Sequence, residues 1–410
     1  MASKFILGLD LGSKEIKAAL AEFKRGSKPV LTKVFHFPSA GIRRGIVENS
    51  GDASSAIAAA LENIKELEPK AIRNIILAIG AEDISTQIST GVVAVSRADN
   101  EIYEDDIQRS VQSSQAVNLL PNREVIHAIV KEFIVDGSDK VMDPLGMVGT
   151  RLEVNSLIID SFSPNVKNLA KCVEDAGGGI LELVLSPLAS STALLSKNQK
   201  ELGVIVIDIG FGKTGLAIYE EQQLIHTAVI PIGSGHITND LAIGLKIPID
   251  TAELIKKSFA SASSKSVLKK EVLELHKIDS RSKGTVNKKF ISEIIEARLS
   301  EIFEHVATEI KKSSNINRLP AGAILVGGGA KLNDILDIAR QELGLATEIG
   351  RINPSPLEVE SPELNAELEK PENAVAIGLL LTDQLQYAVV NKQPSTVASF
   401  VKRAFNYFIP

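Results

Sequence analysis

The chain has 410 residues, 44% apolar and 23% charged, a globular composition with length enough for two or more domains. Its single cysteine, Cys172, excludes an internal disulfide framework, and six scattered histidines without a His-x-x-x-His pair argue against a zinc site. A net charge of −6, 4% aromatic residues and no tryptophan argue against a nucleic-acid partner.

Residues 5–9, 16–23 and 30–37 read as three strands, with Gly12 and Gly26 at turns. A helix is predicted over 52–67, with Asp52 as its N-cap, and a strand over 74–79. This β-β-β-α-β order is interrupted at 84–163. Strands at 92–95, 125–133 and 151–159 and a helix at 103–116 predict a small α+β subdomain there. A helix near 163–176 follows. The order then restarts with strands at 204–207, 216–219 and 224–231 and a helix from about 234. It resumes with a strand at 322–326 and a helix at 331–343. The intervening stretch, 241–318, is mostly helical by periodicity, and 246–318 carries 15 Lys/Arg against 10 Asp/Glu. Both runs open with a strand ending in Asp-aliphatic-Gly, Asp10-Leu11-Gly12 and Asp208-Ile209-Gly210, about half the chain apart. An internal duplication follows. The N-terminus has no signal-peptide pattern, and the longest apolar stretch, 374–381, is too short to span a bilayer. The expected location is cytosolic, or on a membrane from the cytosolic side.

Two Asp-x-Gly turns at strand ends suit a metal–phosphate site. The carboxylates of Asp10 and Asp208 can hold Mg²⁺ through water, and glycine-rich turns present N–H groups to phosphate. The first loop continues as Gly12-Ser13-Lys14, the second as Gly210-Phe211-Gly212-Lys213-Thr214. A third, Gly327-Gly328-Gly329, lies between a strand and a helix, where a helix N-terminus favours an anion. The second loop also fits G-x-G-x-x-G, but it runs into a strand and not the helix of a dinucleotide fingerprint. It is no P-loop either, because Ile207 stands at the first glycine.

Three such loops on a duplicated frame resemble the ATPase superfamily of actin, the 70-kDa heat-shock proteins and sugar kinases. Further segments resemble the FtsA family of bacterial cell-division proteins. They include Gly41-Ile-Arg-Arg-Gly-Ile-Val47, Gly149-Thr-Arg-Leu-Glu153, His226-Thr-Ala-Val-Ile-Pro231 and Glu293-Ile-Ile-Glu-Ala-Arg298. The short 38–51 connection also agrees, because FtsA lacks the subdomain that actin inserts there.

The resemblance implies an α/β, actin-like duplicated ribonuclease H-like fold with two inserted subdomains. Subdomain 1A would take 1–83 and 164–202, and 1C would take 84–163. Subdomain 2A would take 203–240 and 319–385, and 2B would take 241–318. It implies ATP with Mg²⁺ at Asp10, Gly12, Ser13, Lys14, Asp208, Gly210, Gly212, Lys213, Thr214 and Gly327 to Gly329, with Glu253 and Lys256 by the purine and ribose. It implies self-assembly into filaments, binding of the FtsZ C-terminal peptide and contact with later division proteins. Arg298 stands at the family's peptide-binding arginine, with Lys288 and Lys289 as helpers. Two departures bear on chemistry. The second loop has Phe211, Lys213 and Gly215 where the family often has Gly, Thr and Asp. Ser186 stands where many superfamily members place a water-orienting Glu or Gln, so hydrolysis is expected to be slow or absent.

The last fifteen residues, 396–410, place Val397, Phe400, Val401, Phe405, Phe408 and Ile409 on one helical face, with Lys402 and Arg403 off it. A linker is expected at 386–395, where the polar run from Asn391 contains Pro394. A cationic amphipathic helix on a tether suits an anionic membrane. The resemblance implies the same, on the inner face of the cell membrane at the division septum. Two other superfamily members share this outline. A sugar or acetate kinase would need a catalytic Asp and a sugar pocket, which the sequence does not show. The pilus-assembly adaptor PilM lacks the terminal helix.

Overall fold

The computed structural model describes residues 4–24, 26–259, 261–280, 282, 284–313 and 319–382. The 386–395 linker and the 396–410 helix, with Val397, Phe400, Val401, Lys402, Arg403, Phe405, Phe408 and Ile409, lie outside the described residues.

The opening strand, Lys4–Leu11, is apolar on both faces, as a strand covered on both sides must be. Leu7, Leu9 and Leu11 pack under the helices Ser50–Leu67 and Ser163–Asp175, while Ile6 turns to the opposite core. The same alternation recurs in Val204–Ile209. There Ile205, Ile207 and Ile209 face an outer helical layer, and Val204 and Val206 face inward.

Both sheets have one topology. In the first, Lys4–Leu11 lies between Glu15–Phe23, antiparallel, and Ile75–Ile79, parallel, with Val30–Pro38 and Ile180–Leu185 outside them. In the second, Val204–Ile209 lies between Thr214–Glu220, antiparallel, and Ala323–Val326, parallel, with Gln223–Ile230 and Thr347–Ile349 outside. The opening hairpins match in register too. Leu11 pairs with Ile16, and Ile209 pairs with Thr214, so each turn holds the same number of residues. The internal duplication is thus visible strand by strand. The first sheet gains one edge strand, Glu358–Val359, beside Val30.

The layer between the sheets is helical. Ser186–Leu194 is buried on nearly every side, because one sheet lies to either flank. Ala374–Gly378 packs against it, and a side chain at Gly378 would collide with the Ala189 carbonyl. This shared core ties the halves together at one end and leaves a cleft at the other.

Residues between the first and second halves of each frame form additional units. Ser85–Ala94, Arg151–Phe162, Arg123–Val135 and Asp139–Val141 make a four-stranded sheet with its own core under the helix Glu104–Gln115. His127 of this unit accepts from the Leu185 N–H of the first sheet (3.1 Å), and Asp83, in the connection between them, accepts from Ser161 Oγ (3.0 Å) and the Phe162 N–H. The unit also touches the second half, where Gln223 Nε2 donates to the Lys131 carbonyl (2.7 Å) and Thr86 Oγ1 lies 3.3 Å from His226 Nδ1. In the second half, the helix Ile249–Phe259, a short hairpin of Val272–Glu274 with Thr285–Asn287, and the long helix Lys288–Lys312 follow one another.

Two local expectations change. Asn49, not Asp52, caps the first helix: its side chain accepts from the Asp52 N–H, and Asp52 sits in the first turn. The helix foreseen at 331–343 splits into a tight turn, Gly328–Lys331, and a helix, Ile335–Leu343, with Asp334 left-handed between them.

Candidate nucleotide site

Asp10 and Asp208 end the central strands on their inward faces, in step with Ile6 and with Val206. The duplicated register therefore brings the two carboxylates together at the mouth of the inter-sheet layer. A cleft of about 800 Å³ opens there, within the range of small-molecule sites. Its lining includes Asp10, Gly12, Ser13, Lys14, Asp208, Gly210, Gly212, Lys213, Glu253, Lys256 and Gly327 to Gly329. Seven lysines face five carboxylates around it, although the chain as a whole carries −6. Two helices, starting at Ser186 and Ser234, also present their N-termini to it. All of this favours an anion.

Each glycine of the third loop has its own reason. Gly327 has a φ of 83°, and a side chain would strike Asp208 Oδ1. At Gly329 a side chain would strike Ile209. Gly328 alone has open space where a side chain would project. Gly328 is exposed and is one of the cleft's lining residues.

The first loop is fastened to the second half. Lys14 donates to Glu253, whose other oxygen accepts from Lys256 (2.7 Å) and Thr238. Burial would raise the Glu253 carboxyl, but bonds from Lys14, Lys256 and Thr238 prevail and hold it at about 2. Lys256 is buried and also donates to the Ser234 carbonyl (2.9 Å). Between these lysines stands the Phe211 ring, with Lys14 Nζ 5.0 Å and Lys256 Nζ 5.3 Å from its centroid. Such cation–π contacts draw both ammonium groups to the Phe211 ring. Gly235 leaves room for that ring, since a side chain there would meet Phe211.

Two further lysines occupy the cleft floor. Lys17 pairs directly across the hairpin from Asp10, and its Nζ lies 2.6 Å from Asp10 Oδ2. Burial would lower Lys17, but the Asp10 charge prevails and raises it. Lys213 donates to the Gly80 carbonyl across the cleft. Burial lowers its ammonium, opposed by the Asp10 and Asp208 charges. The floor also withholds water from Asp208, which pushes its carboxyl up to about 6 against the pull of Lys17. The pair expected to hold Mg²⁺ therefore already faces two ammonium groups.

Two expectations need comment. Thr214 is not brought into the cleft: it is fully buried, and its hydroxyl donates to the Ile232 carbonyl (2.7 Å). Ser186 does line the cleft, but its hydroxyl donates to the Ile79 carbonyl (2.8 Å), which commits its proton to the fold. Lys17 escaped the sequence reading. Its signal was a lone charge in the apolar run Ile16-Lys17-Ala18-Ala19-Leu20.

The expected peptide-binding residues lie away from the cleft. Arg298 forks onto Asp240, with Nε 2.7 Å from Oδ2 and a terminal nitrogen 3.0 Å from Oδ1, and it also meets Glu301. Lys288 pairs with Glu271 at 3.1 Å, and Lys289 stands in the first turn of the same helix.

Comparison with known proteins agrees with this architecture. The sequence profile described as "Cell division protein FtsA" matches residues 205–378, and "SHS2 domain inserted in FTSA" matches 81–160. The chain is 34% identical to the cell-division protein FtsA of Bacillus subtilis (strain 168), over 83% of this chain and 77% of that protein. It is 32% identical to FtsA of Borreliella burgdorferi, over 98% of this chain and 96% of the relative. Among solved structures, the PilM–PilN type IV pilus biogenesis complex matches with a TM-score of 0.61 at 19% identity, covering 92% of this chain and 97% of that one. MreB5 of Spiroplasma citri bound to ADP matches with a TM-score of 0.55 at 13% identity, covering 95% and 99%. The fold is actin-like, and the chain belongs to the FtsA family of cell-division proteins.

Proposed function

We propose that this chain is a nucleotide-binding, actin-like adaptor that holds FtsZ at the inner face of the cell membrane at the division septum. The cleft carries the reading. Duplicated Asp-x-Gly turns, a glycine loop open at Gly328 and a surplus of lysines form a seat for a nucleoside triphosphate. ATP acts as a ligand for conformation and assembly into filaments. Its hydrolysis is slow or absent, because the Ser186 hydroxyl is a poor base and is already engaged. Glu253 and Lys256 stand by the purine and ribose.

The inserted units follow the subdomain division 84–163 and 241–318, the second presenting Arg298, Lys288 and Lys289 to the acidic FtsZ tail. The 396–410 segment supplies membrane attachment through its apolar face, helped by Lys402 and Arg403. Each basic residue near anionic lipid contributes about 1 kcal/mol, and ordering the helix opposes the gain. Single-copy attachment is therefore weak, and filament formation strengthens it.

Co-sedimentation with anionic vesicles tests the reading. The full chain with ATP is expected to pellet with the vesicles and to carry FtsZ down with it. A chain lacking 396–410 is expected to stay in the supernatant with an unchanged melting temperature. FtsZ left behind by vesicle-bound full chain would contradict the reading.

A further inference from the structure

Lys213 sits in a socket shaped for its ammonium group. A Cβ at Gly45 would come within 3.0 Å of Lys213 Nζ, and so would one at Gly80. Gly80 has a φ of 159° and supplies the carbonyl that accepts from Lys213. The socket is thus made from first-half backbone, while the lysine arrives from the second-half loop. Ser186, Asp10 and Asp208 share the same cleft floor.

The charge arithmetic of the floor is simple. Asp10 and Asp208 carry two negative charges, and Lys17 and Lys213 return two positive ones. A carboxylate pair in a water-poor cleft is ordinarily a demand for a divalent cation. Here that demand is met from within the chain. A lysine ammonium is a compact point charge on a flexible stem, able to follow a phosphate oxygen without shedding a metal's water shell. A triphosphate would add negative charge beside it and favour its protonated form further.

We infer that Lys213 is a built-in cation serving in place of a divalent metal beside Asp10 and Asp208, so that this chain binds ATP with little need for Mg²⁺. The inference rests on the nucleotide reading of the cleft.

The test is calorimetric titration of ATP into the full chain, once with Mg²⁺ and once with excess EDTA, for wild type and for Lys213→Met. Methionine keeps the length and fills the socket without charge, and Lys213→Thr serves as a second variant. Wild-type affinity is expected to change less than about threefold between the two buffers. Both variants are expected to weaken at least about tenfold in EDTA and to recover with Mg²⁺. Melting curves identify any variant that fails to fold. A tenfold loss for wild type in EDTA would overturn the inference and leave the nucleotide reading standing. So would folded variants that bind ATP alike in both buffers. ATP binding in neither buffer would overturn the nucleotide reading, and this inference with it.

Discussion

Glu253 joins the two halves through Lys14, while Lys256 and Thr238 of its own half hold the carboxylate in place. Its carboxyl is held at about 2, below the ordinary 4.5. A carboxylate depressed in this way stabilises the fold fully above its ordinary value. That contribution is lost as pH falls through the folded value. Glu253→Gln should therefore be less stable than wild type at pH 7 by about 1–3 kcal/mol. In urea unfolding the gap should narrow steadily from about pH 4.5 toward pH 2. A gap that stays constant with pH would show that the Glu253 charge is not what stabilises the fold. The residue scale also shows where the sequence was opaque. Asp10 and Asp208 were legible because each ends an apolar strand before a glycine. Lys17 was not, since one charge in a strand ordinarily marks a solvent face. Only the register, which sets it opposite Asp10, reveals its place.

At the scale of elements, the long helix Lys288–Lys312 presents Arg298 to the helix Ser234–Leu245. The fork onto Asp240 means that an incoming acidic peptide competes with a carboxylate already in place. Opposite effects follow for the two partners. Arg298→Gln should weaken binding of the FtsZ C-terminal peptide about tenfold, the loss of one charge-assisted pair. Asp240→Asn should strengthen it, because the guanidinium is released. Neither should alter ATP affinity, since both residues lie outside the cleft lining. Fluorescence anisotropy with labelled peptide measures both. If both variants weaken the peptide, the fork is structural and the peptide binds elsewhere. Element boundaries were legible where periodicity was clean, as in the three opening strands. They shifted where caps decided them: Asn49 extended the first helix, and left-handed Asp334 divided another.

At the scale of the molecule, the duplication was readable from two Asp-x-Gly turns, and the equal hairpin registers make it exact in structure. The contact of the inserted four-stranded unit with the second half was not readable. It depends on Gln223 and His226 reaching Lys131 and Thr86, residues that no local pattern links. Through that contact the insert touches both halves. The proposed coupling of assembly to ATP depends on a nucleotide occupying the cleft. Gly328 allows a direct test, because a side chain there meets no protein atom within 4 Å. Gly328→Leu should fill the seat while leaving the fold intact. The measurement is a calorimetric titration of ATP, with Mg²⁺ present, into wild type and Gly328→Leu of equal melting temperature. One ATP per wild-type chain is expected, with at least about a hundredfold weaker binding by the variant. Equal affinity in the two proteins would contradict a nucleotide seat in the cleft.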